Sequence, residues 1–460
     1  MNWLGTICSL SQPRTGLFPY AVCCQSKGKM LRYTQDIHPD HAPPGETVLL
    51  ISGKDKSGPE SGIPAGHFAR KRGIKMTRTT TPTSQRGQIT SLQALRALAF
   101  LGIFLHHVNS PFCWPAIGVS VFFVLSGFLM EYKYFGKEMS LSVRENLRFA
   151  IRKISKLYAL HIITMCLAVI REVGASLPGG MSAYSLRILL CSIALNVTLL
   201  QTWIPRIGIA ASLNGVAWFL SVIAFLYFMF PYISRWIRSK KNSTLLLCCV
   251  LVLAAQVVLS VFAMLFFGGR NNTYIWFTYY FPVFRLGDFF AGCCLGKYYL
   301  QEMAKQPDST AQKISVKWSV FEILLTIATV FIHKWTSTDV SSPFLAAMQN
   351  QTTPYILPAV GWVYLFARKK GFLTNLLCNK ILIRLGDLSP YMFLVHYFVT
   401  TYAEWILSYW DAAFTGVWKL LLFVLQFVLT VILTLLYLKI RDRLRAARDA
   451  RKTLREAHKP

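Results

Sequence analysis

From residue 90 onward the chain carries one apolar run after another, which leaves little room for a water-soluble fold. Runs fall near 92–109, 112–131, 152–171, 214–234, 244–268, 274–296, 316–334, 353–367, 388–409 and 417–438. A hydrocarbon layer about 30 Å thick takes about 20 helical residues to cross, and only backbone that satisfies its own hydrogen bonds is stable there. The runs therefore predict an all-α polytopic membrane protein with about ten transmembrane helices. The 353–367 run, bounded by Pro354 and Arg368, is the shortest. An eleventh run, 185–203, is interrupted by Arg187, Asn196 and Gln201.

Charge decides how the eleventh run is read. Charged residues make up only 15% of the chain, yet the net charge is +29. In a soluble protein that surplus would suggest a nucleic-acid partner. Here it reads as Lys and Arg gathered in loops on one side of a bilayer, where they also attract anionic lipid. If 185–203 does not cross and the N-terminus is cytoplasmic, 41 of the 49 basic residues face inside. If it does cross, four basic regions holding 22 of them move outside. The bias therefore predicts ten crossings, both termini cytoplasmic, and 185–203 re-entrant or lying at the outer surface. Loop 335–352 has no Lys or Arg, as suits an outer loop.

Residues 1–88 form a basic tail rich in Pro, Gly, Ser and Thr, and predict disorder. Met76 would make an ordinary start for a membrane protein, and the opening decapeptide is a poor signal peptide. The membrane domain is expected over 89–438. Residues 439–460 read as a basic cytoplasmic helix on the inner leaflet, or as a simple stop-transfer anchor. The cysteine pairs Cys23-Cys24, Cys248-Cys249 and Cys293-Cys294 lack metal-site spacing, so no metal and no disulfide framework are expected. There is no internal repeat of the kind inverted-repeat transporters carry.

Ionisable residues inside spans are costly and so mark function. Those singled out are Arg96, His106, His107, Arg285, Asp288, His396 and Glu404. Arg96 and His107, eleven residues apart, fall on one helix face about 16 Å apart along the axis, while His106 points about 100° away. His107, near the outer end, suits a general base; two interfacial histidines with no role are the plainer reading. Ser126, in Ser126-Gly127, lets a neighbouring helix approach or supplies a hydroxyl. Arg285 and Asp288, three apart, suit a neutralising helix pair.

The same residues carry a resemblance. Arg96-x10-His107, followed by Gly118-Val-x-x-Phe-Phe-x-x-Ser126-Gly-Phe-Leu, resembles the opening of membrane-bound acyltransferase family 3. Arg152-Lys-Ile-Ser-Lys156 is similar to the family's basic segment after the second span. Leu213-Asn-Gly-Val-Ala-Trp218-Phe-Leu-Ser221 resembles its Asn-x-x-x-Trp-x-Leu-Ser motif. Pro282 to Gly296, with Arg285, and Leu385 to His396 resemble two later motifs, so the likeness runs from 90 to 438. Lys153 and Lys156 stand where the family usually has Arg, Ala159 where Pro is common, and Ile223 where many members have an acid.

The resemblance implies an O-acyltransferase that moves an acyl group, an acetyl first of all, from acyl-CoA to a glycan or lipid-linked saccharide. It implies no resident cofactor, only acyl-CoA as co-substrate. Arg152, Lys153 and Lys156 would meet the donor's phosphates, or be ordinary inside charges. His107 would be the base, with an acyl-histidine as a variant. Arg96 and Arg285 would position the donor or stabilise developing charge. Ser126, Trp218, Ser221 and His396 would line the cavity or simply pack. A bacterial cytoplasmic membrane is the expected location. A transporter or flippase of lipid-linked glycans is the alternative, and would export without acyl-CoA.

Overall fold

The computed structural model describes residues 87–110, 112–176, 182–305, 314–408 and 416–457. Apart from its last two residues, the 1–88 tail, with Met76 and Cys23-Cys24, lies outside the described residues. From Ile89 the described chain belongs to one unit. It comprises α1 (Ser91–His107), α2 (Pro115–Tyr134), α3 (Val143–Ser176), α4 (Ala183–Thr198), α5 (Ile207–Ala210), α6 (Trp218–Arg238), α7 (Asn242–Phe266) and α8 (Asn272–Ile275). Then follow α9 (Leu286–Lys305), α10 (Val316–Thr336), α11 (Pro343–Met348), α12 (Thr353–Arg368), α13 (Phe372–Leu377), α14 (Lys380–Ser408) and α15 (Gly416–Ala457). No strand occurs among the described residues.

Six of these helices are long and apolar enough to cross a membrane: α2, α3, α6 with the turn before it, α7, α10 and α15. The runs expected at 92–109, 353–367 and 388–409 form α1, α12 and α14, which pack among them. The run expected at 274–296 is not one helix. It starts as α8, passes through a π-helical turn at Trp276–Tyr280, breaks, and resumes as α9. Asn271 caps α8, accepting from the backbone N–H of Thr273 and Tyr274 at 3.0 Å each, and Pro282 follows the break. Residues 439–457 continue α15 without interruption.

α2 is the central helix, buried from Ala116 to Glu131. Its closest neighbour is α9, and small residues explain why. A Cβ on Gly127 would strike the carbonyl of Phe289, and one on Gly292 the carbonyl of Val124. With no hydrophobic drive between helices in lipid, such close backbone approach supplies the packing. At the periphery α7, α10 and α15 turn Leu246, Phe262, Ile327, Val330, Val424 and Ile432 outward. A helix apolar on nearly every side is at home against hydrocarbon.

One end of the bundle, the basic end, is tied by ionic caps. Arg238 of α6 donates from Nε to Glu131 Oε1 of α2 at 3.1 Å, and its terminal nitrogens donate to the carbonyls of Tyr134 and Lys137. Ser234 donates to Glu131 Oε2 at 2.6 Å. Lys297 of α9 donates to the carbonyls of Ile237 and Lys240, at the end of α6. Cations here satisfy the last carbonyls of a helix and its negative dipole end together.

Run 185–203 forms α4 and a 3-10 turn at Gln201–Trp203. α4 turns back along α3, with Leu189 and Ile193 against Met165 and Ala168. Val197's carbonyl accepts from Tyr158 Oη at 2.7 Å, and Asn196's lies 3.0 Å from His161 Nε2. There α4 ends, short of the first turns of α3, which pack through Phe149 on Tyr134 and Phe230 instead. The chain returns through α5 to Asn214, whose Nδ2 donates to Thr164 Oγ1 of α3 at 2.7 Å.

Candidate active site

The site grows from a break in the helical regularity at the far end, opposite the basic end. Leu199–Ala217 contains only short 3-10 turns and α5, and 268–285 only α8 and the π-helical turn. Trp276 Nε1 donates to the carbonyl of Thr202 at 2.9 Å and joins the two stretches. Thr352 Oγ1 donates to the carbonyl of Thr278 at 2.7 Å and ties on the start of α12. Irregular backbone at membrane depth is tolerated only where protein buries it or where it lines a cavity. Single π turns inside helices gather at functional sites.

His107, the last residue of α1, lies against α14 at this end and is half-buried. Its ring centroid is 5.1 Å from that of His396 and 5.2 Å from that of Tyr397, which meets it edge-on at 81°. α14 climbs beside α1 in the same direction, since Gly386 packs on the Gln93 backbone and His396 on Phe100. His396 is fully buried among Phe100, Phe104 and Phe393. His106 points elsewhere: its Nδ1 lies 3.2 Å from Cys113 Sγ. The two neighbouring histidines thus occupy different surroundings, as the 100° step predicts.

A second group lies deeper between α2, α6 and α9. Arg285 is fully buried; its Nε donates to the Tyr279 carbonyl at 2.8 Å. Its guanidinium carbon is 4.4 Å from the Tyr279 ring, 5.4 Å from Phe123 and 5.9 Å from Trp218. Asp288, also fully buried, faces it at 3.7 Å. Rings that present their faces to a cation offset part of its desolvation. Trp218 Nε1 has no hydrogen-bond partner. Rings connect the two groups, from Trp218 to Phe219, to Phe393 and to His396, with successive centroids 5.4 to 6.2 Å apart.

The remaining candidates fall in four places. Ser221 shares a 2.5 Å hydrogen bond with Thr202. Ser126 is fully buried, beside the Gly127 contact with α9, and its hydroxyl has no hydrogen-bond partner. Arg96 is buried on α1 toward the basic end, donating to Gln93 Oε1 at 2.7 Å. Arg152, Lys153 and Lys156 lie on the basic-end half of α3. Lys153 donates to Tyr134 Oη at 2.5 Å and lies 4.7 Å from that ring's centre. Lys156 feels the charges of Arg441 and Arg445 on α15, and Arg441 donates to Tyr391 Oη at 2.7 Å.

Three residues escaped the sequence reading. Tyr397 stood beside a residue singled out, but a neutral ring gives no charge signal. His161 and Glu322 do carry one, each inside an apolar run. Glu322 accepts from the backbone N–H of Leu373 at 2.7 Å and Thr374 at 3.0 Å, which holds α13 to α10. Among the described residues, no group of three or more His, Cys, Asp and Glu is placed to hold a metal ion.

An all-helical membrane domain with a half-buried histidine at a break in the backbone, and cations at the opposite end, is the architecture the comparisons join. Residues 89–439 match the family described as Acyltransferase domain, and the chain belongs to that family, acyltransferase family 3. It is similar to an acyltransferase, MdmB, of Streptomyces mycarofaciens, 24% identical over 343 residues that cover 69% of this chain and 80% of the relative. No solved structure matches the chain. The protein is an acyltransferase.

Proposed function

We propose that this acyltransferase takes an acyl group, an acetyl first of all, from acyl-CoA at the basic end and places it on a hydroxyl of a glycan or lipid-linked saccharide at the far end. The observation that carries the reading is His107, half-buried at the broken far end against two other side chains able to exchange protons. Ten crossings with both termini cytoplasmic, in a bacterial cytoplasmic membrane, accord with it, because that orientation turns the cations toward the phosphates of a cytoplasmic donor.

The chemistry is general-base transfer. His107 removes the proton from the acceptor hydroxyl as its oxygen attacks the thioester carbonyl. The carbon–sulfur bond breaks, and CoA leaves as the thiol, its sulfur taking up the proton from His107. Arg152, Lys153 and Lys156 hold phosphates by charge-assisted contacts. Arg96 lies on the same face of α1 as His107, about 16 Å away, and guides the donor arm between the two ends. Arg285, held by Tyr279 and Asp288, stabilises negative charge through the ring-lined interior.

The test is turnover of radiolabelled acetyl-CoA in membranes carrying residues 76–460, comparing wild type with His107→Ala and His106→Ala. Loss only in His107→Ala supports the base assignment, at about 100-fold or more. Loss only in His106→Ala keeps the enzyme and overturns the base. Equal turnover in all three removes both histidines from the chemistry.

A further inference from the structure

We propose that Tyr397 is a positioning residue for His107, and that the bend Leu213–Gly215 sets where Tyr397 stands. The inference rests on the reading of His107 as the base, and its test is separable from that reading. Tyr397 follows His396 on α14 and is 8% exposed. Its ring meets His107 edge-on at 5.2 Å. The ring also rests against the backbone of Gly215, where a Cβ would lie 2.7 Å from Tyr397 Oη, 2.8 Å from Cζ and 3.2 Å from Cε1. Glycine is therefore the residue that lets the ring reach this place.

The surface under Tyr397 is fixed. Leu213 has φ of 59°, in the left-handed region that non-glycine residues rarely adopt. Such strain persists where the surroundings over-determine it. Asn214 supplies that restraint, with Nδ2 donating to Thr164 Oγ1 of α3 at 2.7 Å and to the Leu394 carbonyl of α14 at 3.2 Å. The second bond lands within one turn of His396 and Tyr397. The bend is thus pinned to the helix that bears the ring and to the helix behind it. The Tyr397 ring touches both the Gly215 backbone and the His107 imidazole, so a displacement of the first is passed to the third. A reacting group displaced by about 1 Å can lose about 100-fold in rate.

The experiment is a cycle of Gly215→Ala, Tyr397→Leu and the double variant in full-length protein in membranes. Two quantities are read: acetyl-CoA turnover, and the rate at which diethyl pyrocarbonate modifies His107, followed by tandem mass spectrometry. Elution of detergent-extracted protein as a single species checks folding. Gly215→Ala and Tyr397→Leu are each expected to lower turnover by about 10-fold or more and to change the His107 modification rate. The double variant is expected to match Tyr397→Leu, because the ring through which Gly215→Ala acts is gone; contacting residues couple in this way. Additive losses, or an unchanged His107 modification rate in Gly215→Ala, overturn the proposal. If Gly215→Ala does not fold, Tyr397→Leu alone decides, and an unchanged modification rate overturns it. The modification readout needs no turnover, so a failure of His107→Ala to stop the reaction would overturn the base assignment separately.

Discussion

The imidazoles of His107 and His396 lie 5.1 Å apart on two helices that run side by side in the same direction. Only one of them is partly exposed, His107. His396 Nδ1 is 3.3 Å from the Met392 carbonyl, which can only accept, so in a neutral ring this nitrogen carries the proton. The assignment leaves Nε2 as the basic nitrogen of a ring walled by three phenylalanines.

That geometry predicts different costs for the two histidines. His396→Ala removes a wall of the His107 site but not the base. Turnover of acetyl-CoA is expected to fall about 10-fold, less than the 100-fold or more for His107→Ala. Parallel turnover assays on membranes with matched protein amounts check it. Equal losses would make the two histidines one functional unit.

At the other end, the cations predict a binding effect. Lys153 is held by Tyr134 and Lys156 lies near Arg441 and Arg445, so positive charge gathers where the donor's phosphates would bind. Lys153→Gln with Lys156→Gln is expected to raise the KM for acetyl-CoA about 10-fold, with kcat changed little, since a contact made alike in ground and transition state acts on KM. Raising the salt concentration should narrow the difference between wild type and variant. A fall in kcat with KM unchanged would move these lysines away from the phosphates.

The apolar runs made most of the helices legible, because each run of about 20 residues has few alternatives in a membrane. Where that logic failed it failed at 274–296. A hydropathy reading cannot see that Phe281–Arg285 leaves the helix, because the ladder is broken by local contacts such as Arg285 on the Tyr279 carbonyl. Pairing was equally hidden. Nothing in the order of residues says that His107 meets His396, or that Glu131 meets Arg238, since each pair joins distant stretches of chain. The motifs named His107, Asn214, Trp218 and His396, yet Tyr397, whose ring meets His107, carries no charge to draw attention.

Glycine placement yields a contrast between two substitutions. Gly292→Ala drives a Cβ into the Val124 carbonyl, which is backbone and cannot swing aside. Overpacking of this kind costs on the order of 1–3 kcal/mol or more. A Cβ on Gly208 would meet nothing within 4 Å, and its φ is not positive, so Gly208→Ala should be neutral or slightly stabilising. Thermal melts of detergent-extracted protein check it, with Gly292→Ala expected several degrees lower and Gly208→Ala level with wild type. Equal melting would mean that α2 and α9 can separate at little cost.

The last prediction concerns Glu131 and Arg238, a pair whose carboxylate is fully buried and whose guanidinium is only partly so. Removing one partner leaves the other's demand unmet, at about 3–5 kcal/mol for a buried pair. Arg238→Ala leaves the Glu131 carboxylate with Ser234 and removes the donors that cap Tyr134 and Lys137. Glu131→Gln keeps an oxygen for Ser234 or Arg238 and leaves those caps in place. The expected order of melting temperature is therefore wild type, Glu131→Gln, then Arg238→Ala. Adding Glu131→Gln to Arg238→Ala should recover part of the loss, because the stranded charge is gone while the caps are still missing. The same series reports on the donor end, since the caps fix the end of α2 that bears Tyr134, the partner of Lys153. Arg238→Ala should raise the KM for acetyl-CoA even in the double variant; a KM that recovers along with stability would separate Tyr134 from the donor site.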